Sequence, residues 1–175
     1  MESFFKKPSS QVVYESWGHK STVPVILCLI REFNVRTFVE VGAESGKLSW
    51  LILNECDDVY TYLVDISFEA CDLNAFRQFG MRFSILGMRS VDASFCVSFE
   101  TCPLDMVYID AGHSYLDVNE DLRAWYPRVR QGGVVAGHDY GHPNWPGVKQ
   151  AVDEFVQKKG KKLNVGEYFN FWFVK

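Results

Sequence analysis

No apolar run in this 175-residue chain approaches the ~18 residues that a membrane span needs, so a membrane role is not expected. Met1–Ser10 (MESFFKKPSS) holds no long apolar segment of the kind a secretory leader carries. The five cysteines are an odd number with no C-x-x-C pair, which argues against a disulfide framework and a zinc site. A reducing, cytoplasmic setting is the expectation. Cys28 lies within an apolar stretch and reads as a core residue. A net charge of −4 gives no strong nucleic-acid signal. Lys158, Lys159, Lys161 and Lys162 form the only basic run, and they read as a solvated helix end whose cations suit the dipole there. Repeats, low-complexity tracts and Gly/Ser linkers are also lacking, so one domain is expected over residues 1–175, with an N-terminal helical segment at 1–34 and a core at 35–175.

What the chain does have is alternation. A helix from Ser21 to about Phe33, with Pro24 in its first turn, precedes a strand at Thr37–Val41 and a helix at Lys47–Asn54. Strands follow at Val59–Val64, Arg82–Leu86, Met106–Ile109 and Val134–Ala136. Helices are expected at Ser67–Phe79, Ser90–Phe99, Tyr115–Val129 and Gly147–Lys159. Leu163–Val165 and Tyr168–Val174 close the chain as strands, too near each other for a parallel crossover and hence antiparallel. The fold class is α/β, a doubly wound and mostly parallel sheet. The aromatic run Tyr168–Phe173 is a candidate edge for a homodimer.

The first strand runs into Glu40-Val41-Gly42-Ala43-Glu44-Ser45-Gly46, a glycine turn where such sheets hold a nucleotide-like cofactor. Glu44 stands where a dinucleotide loop has its second glycine, and Glu40 adds a carboxylate. Two anions repel a pyrophosphate and favour a cation. S-adenosylmethionine carries an ammonium and a sulfonium and no phosphate, so the loop favours it over NAD. Asp65, about 20 residues beyond the turn, stands where a carboxylate grips ribose hydroxyls; its other expected role is capping a helix near Ser67. After the third strand, Met88 can cover an adenine face and Ser90 can offer it a hydrogen bond.

Two later strands each end in an aspartate with a histidine nearby: Asp110 and His113, then His138 and Asp139. Capping explains either aspartate alone but not their joint placement on one rim. An imidazole changes charge near neutral pH, so His113 is the candidate base, with Asp110 beside it. Tyr115, Tyr140, His142, Asn144 and Trp145 are candidates for an acceptor pocket, with Trp17 and His19 further off. Trp125 and Leu122 share a helical face and read as core.

E-V-G-A-E-S-G, Asp65, I-D-A-G-H-S-Y at 109–115, D-L-R-A-W at 121–125, G-G-V-V-A-G-H-D-Y at 132–140 and G-V-K-Q-A-V-D-E-F at 147–155 together resemble a class I S-adenosylmethionine-dependent methyltransferase. The nearest subgroup is the small one with I-D-x-x-H-S-Y and G-H-D-Y, related to sugar and natural-product O-methyltransferases. The resemblance implies a Rossmann-like sheet of seven strands with the last inserted antiparallel. It implies S-adenosylmethionine as cofactor, held by Glu40, Gly42, Glu44, Gly46, Asp65, Met88, Ser90 and Asp110, and a small-molecule or saccharide acceptor. Metal-dependent relatives hold a divalent cation at positions that match Asp110, His138 and Asp139. Here a histidine replaces the first member of the usual acidic or amide pair, a change that suits manganese, iron, nickel or zinc better than magnesium. A metal-dependent hydroxylase on the same scaffold and a non-catalytic binding module are the alternatives.

Overall fold

The computed structural model describes residues 22–97 and 104–175. Helix α1 (Thr22–Glu32) leads into β1 (Thr37–Val41), α2 (Lys47–Glu55) and β2 (Tyr60–Asp65). The short α3 (Leu73–Phe76) precedes β3 (Phe83–Gly87), α4 (Ser90–Cys96) and β4 (Leu104–Ile109). Then come α5 (Tyr115–Trp125), β5 (Val129–Gly137), α6 (Pro146–Lys159), β6 (Asn164–Val165) and β7 (Phe171–Val174). Every residue of β1 and β4 is buried, because helices cover both faces of the sheet and leave no polar side for an alternating pattern. The seven strands lie in the order β3-β2-β1-β4-β5-β7-β6. Those from β3 to β5 are parallel, and β7 runs antiparallel between β5 and β6.

One face of the sheet packs Phe38, Met106 and Tyr108 against Ile26, Ile30, Ile52 and Leu53 of α1 and α2. The other sets Val39, Val107 and Val135 against Leu122, Trp125, Val152 and Phe155 of α5 and α6. Alternate strand residues thus feed two cores, as the period of two requires. Helix α5 starts at Ser114, whose hydroxyl accepts from the Asp117 N–H at 3.2 Å. Helix α6 opens on Pro146 and stops at Gly160 (φ 62°), with Lys158 and Lys159 in its last turn as expected.

Several expected boundaries move, each for a local reason. No helix forms at Ser67: Asp65 Oδ1 accepts from the Ser67 N–H at 3.2 Å and Ser67 Oγ from the Glu69 N–H at 3.3 Å, so these side chains hold a turn instead. The helix waits for Asp72, which caps α3 through the Asn74 N–H at 3.1 Å. Helix α5 stops at Trp125 rather than Val129, because Pro127 permits only a 3-10 turn there. Val129 instead opens β5, which is longer than Val134–Ala136, pairing with Leu104 before a bulge. The last strand is confined to Phe171–Val174, since Tyr168 and Phe169 take left-handed backbone (φ 54° and 62°). That strand is also no free edge: β5 and β6 flank it, so Tyr168–Phe173 does not present the dimer edge expected. Cys28 is exposed, because Ile26, Leu27, Leu29 and Ile30 define the buried face of α1 and leave position 28 outside. Ser21, Trp17, His19 and the end of the Ser90–Phe99 helix lie outside the described residues. Among those described, no helix is long and apolar enough to cross a membrane.

Candidate active site

A cavity of about 870 Å³ opens outside the carboxyl ends of the parallel strands. The β1 turn forms its floor. Gly42 has φ +87°, and a Cβ there would lie 2.0 Å from the Asp110 carbonyl oxygen, so only glycine lets the β1 and β4 loops meet. The Gly42 and Ala43 N–H groups both donate to the Val64 carbonyl, at 2.8 and 3.1 Å, which sets the turn against β2. Glu44 follows with φ 47°, its N–H donating to Asp65 Oδ2 at 2.7 Å. The ribose-gripping candidate is therefore fixed by the glycine loop itself.

Glu40 is buried beneath the loop and accepts from the Ser49 N–H at 3.0 Å and from the Ser49 hydroxyl. Burial pushes its carboxyl up to about 8, against the lowering effect of Ser49 and with Asp110 and Asp65 adding to the rise. Asp110 is pushed up to about 7, first by burial and then by Asp139 and Glu44. Eight acidic side chains, Glu40 and Asp110 among them, line the cavity against one lysine and one arginine, Lys47 and Arg89. Such a surface selects for a cationic occupant.

At the β4–β5 rim, His113 Nε2 lies 2.8 Å from Asp139 Oδ2, and the His113 ring stacks on Trp145 at 4.5 Å with 22° between planes. Asp139 is buried and sits at φ 61°, a strained backbone for an aspartate. Asp139 Oδ1 lies 3.2 Å from His138 Nδ1, which is 4.0 Å from Asp110 Oδ1. One imidazole and two carboxylates, from His113, Asp110 and Asp139, place ligand atoms within 4.8 Å of one another. His138 borders this group. A mixed nitrogen and oxygen donor set fits manganese, iron or zinc better than magnesium.

The cavity brings together Glu40, Gly42, Glu44, Asp65, Met88, Ser90, Asp110, His113, His138 and Asp139. Gly46 does not reach it. It caps α2 in left-handed conformation (φ 71°), and a Cβ there would press on Cys71 and Phe76. Tyr115, Tyr140, His142, Asn144 and Trp145 also stand outside the lining, with the Tyr115 and Tyr140 hydroxyls 2.6 Å from Glu154 and Asp153 respectively. Residues not anticipated from sequence are Ile66, 78% exposed at the cavity edge, and Asp121, a buried carboxylate of α5. An apolar residue directly after the strand-end acid was the available signal for Ile66. Asp121 opens the D-L-R-A-W motif at 121–125, but nothing in the sequence gave it a place in the site, because its neighbours come from α4.

A doubly wound sheet with β7 reversed, a glycine turn, an acid ending β2 and a polar rim on β4 and β5 define the class I S-adenosylmethionine-dependent methyltransferases. Residues 39–140, more than half of the chain, match a family described as a methyltransferase domain, and the chain belongs to that family. An uncharacterized protein of Acanthamoeba polyphaga mimivirus is 26% identical over 148 residues, covering 78% of this chain and 65% of its own length. The chain thus spans just under two thirds of the curated relative it matches. Among solved structures, a Staphylococcus aureus protein assigned as a caffeoyl-CoA O-methyltransferase superposes with a TM-score of 0.72 at 19% identity, over 88% of this chain and 83% of that one. The O-methyltransferase TomG of Streptomyces achromogenes, solved with S-adenosylmethionine, gives 0.64 at 20% identity, over 86% and 77%. At these identities the structural likeness shows the fold.

Proposed function

We propose that the chain transfers the methyl group of S-adenosylmethionine to a hydroxyl of a small molecule, a saccharide among the candidates. The observation that carries the reading is the His113–Asp139 pair, 2.8 Å apart beside the cofactor-sized cavity. When bound, the cofactor supplies an electrophilic methyl on a sulfonium for in-line displacement by the acceptor oxygen. Asp65 holds the ribose, Glu44 supplies negative charge for the cationic groups, Glu40 ionises once a cation lies beside it, and the missing Cβ of Gly42 leaves the backbone bare. Asp139 accepts the Nε2 proton of His113, which fixes the tautomer and leaves Nδ1 to take the acceptor's hydroxyl proton. Asp139 then stabilises the imidazolium. The O-methyltransferases of like fold support a small-molecule acceptor.

The ligand-atom cluster of Asp110, His113 and Asp139 favours a second reading in which a divalent cation lowers the acceptor's pKa. There His113 is a ligand and not a base. Calorimetric titration with S-adenosylhomocysteine, with and without chelator, tests the cofactor assignment. Saturable binding is expected, weakened at least tenfold by Asp65→Ala, and no uptake at millimolar ligand would sink the proposal. Turnover over phenolic and saccharide acceptors, read as S-adenosylhomocysteine released, should vanish in His113→Ala and survive chelator. Loss on chelation and recovery with manganese would select the metal reading.

A further inference from the structure

His113 is held at one atom by Asp139, and one bond does not fix an imidazole. The torsion that turns the ring about its Cβ–Cγ bond is broad. Nε2, 2.8 Å from Asp139, lies close to that axis, whereas Nδ1 lies further from it and sweeps as the ring turns. Trp145 sets the plane, stacked on the ring at 4.5 Å with 22° between planes. Gly147 brings it there. A Cβ at 147 would lie 2.5 Å from the Tyr115 nitrogen and 3.3 Å from the His113 carbonyl oxygen, so the first turn of α6 closes on residues 113–115 only because that position is bare. The Trp145 N–H donates to the His142 carbonyl at 3.0 Å, and the His142 N–H to the Asp139 carbonyl at 3.1 Å.

Behind Trp145 the rings continue. His142 stacks on it at 6.4 Å, and Phe169 meets His142 edge to face at 4.8 Å. Phe169 is 38% exposed and sits on left-handed backbone, directly after Tyr168 on the same. Such strain persists only where the surroundings impose it. Buried Asn170 does so: its Nδ2 donates to the Glu167 carbonyl at 2.9 Å, and its Oδ1 accepts from the Tyr108 hydroxyl at 3.0 Å. The Phe169 carbonyl accepts from the Tyr140 N–H at 2.9 Å, which ties the turn to the residue after Asp139. We infer that Trp145 is a positioning residue, and that the rings of Phe169, His142 and Trp145 buttress the plane of His113 and so aim its Nδ1 at the acceptor hydroxyl. The inference rests on the base assignment proposed above. Trp145 stands outside the cavity lining, so it acts through His113 and not on the cofactor.

Two readouts test this, both with chelator present and above the ordinary imidazole value of ~6.5. Nitrogen-15 shifts of the four histidines need no acceptor, His113 being identified by its loss in His113→Ala. The wild type should show one His113 tautomer, with the proton on Nε2. In Trp145→Ala the two nitrogens should move toward a common averaged shift; in Trp145→Phe, which keeps a ring to stack, they should stay apart. On an acceptor that the wild type methylates, kcat should fall about 10–100-fold in Trp145→Ala and recover to within about threefold in Trp145→Phe. Affinity for S-adenosylhomocysteine should stay unchanged in both. Phe169→Ala, at the exposed end of the row, should show the same changes to a smaller extent and serves where Trp145→Ala does not fold. A single unmoved tautomer in the alanine variants would overturn the inference. So would kcat retained in Trp145→Ala while His113→Ala is inactive, or cofactor affinity lost along with kcat, as a purely structural role predicts. Turnover indifferent to His113→Ala would remove the base assignment itself, and this inference with it.

Discussion

Glu40 shows how a single buried carboxyl couples the cofactor loop to stability. Its ordinary value is 4.5 and its folded value about 8, so between those limits the unfolded chain releases a proton that the folded chain keeps. Stability is therefore fully present below pH ~4.5 and is lost as pH rises toward 8. Glu40→Gln keeps an acceptor for the Ser49 N–H and cannot ionise. Urea midpoints of the ligand-free protein at pH 5.5 and 8.5 should differ less in the variant than in the wild type. The difference removed is on the order of 2–4 kcal/mol, with one pKa unit corresponding to about 1.4 kcal/mol. Asp110 and Asp121, raised to about 7 and about 6, retain part of the slope. An unchanged slope in Glu40→Gln would show that Glu40 is not the group held protonated.

At the scale of elements, the turn after β1 depends on glycine at one position far more than at others. In Gly42→Ala the new methyl meets backbone at Asp110, which has no flexible end to move, while φ +87° is itself unfavourable. Gly160→Ala is the control: its φ is +62°, yet nothing lies within 4 Å of a Cβ there. Chemical denaturation should show a loss of at least about 3 kcal/mol for Gly42→Ala against about 1 kcal/mol for Gly160→Ala. Only the first should impair binding of S-adenosylhomocysteine; equal effects would deny the turn its special role. This turn was legible in the sequence because close approach leaves a glycine behind. The strands were legible too, since continuous runs such as VYI at 107–109 have few other uses. The helix starting at Leu73 was not, because Asp65 and Ser67 settle the chain in turns by bonds to their neighbours' N–H groups. The four rim residues could be read as a cluster, but not which nitrogen faces which oxygen. That depends on the left-handed backbone of Asp139 and on Trp145 arriving from the α6 side.

Across the whole molecule, the two ends of the sheet do different work. The cavity lies at the carboxyl ends, while Asp105 secures the opposite end of β4, roughly 15–20 Å away at ~3.3 Å per residue. Asp105 Oδ2 accepts from the Arg36 and Thr37 N–H groups at 2.7 and 2.9 Å, and Oδ1 from Arg130 Nε at 2.5 Å. One buried carboxylate thereby joins the starts of β1, β4 and β5. Asp105→Ala leaves two backbone donors and a half-buried guanidinium without that acceptor, a cost of about 3–5 kcal/mol. The melting temperature should fall by roughly 6–15 °C, at ~2–4 °C per kcal/mol for a chain of this size. At 15 °C, where the variant remains folded, its affinity for S-adenosylhomocysteine should match that of the wild type within about twofold. The strands between the two ends are buried along their length and packed on both faces, so the lost clamp loosens their starting ends without displacing Gly42 or Asp110. A large loss of affinity in a folded Asp105→Ala chain would mean that strain at one end travels the length of β4, and that the sheet does not separate stability from binding.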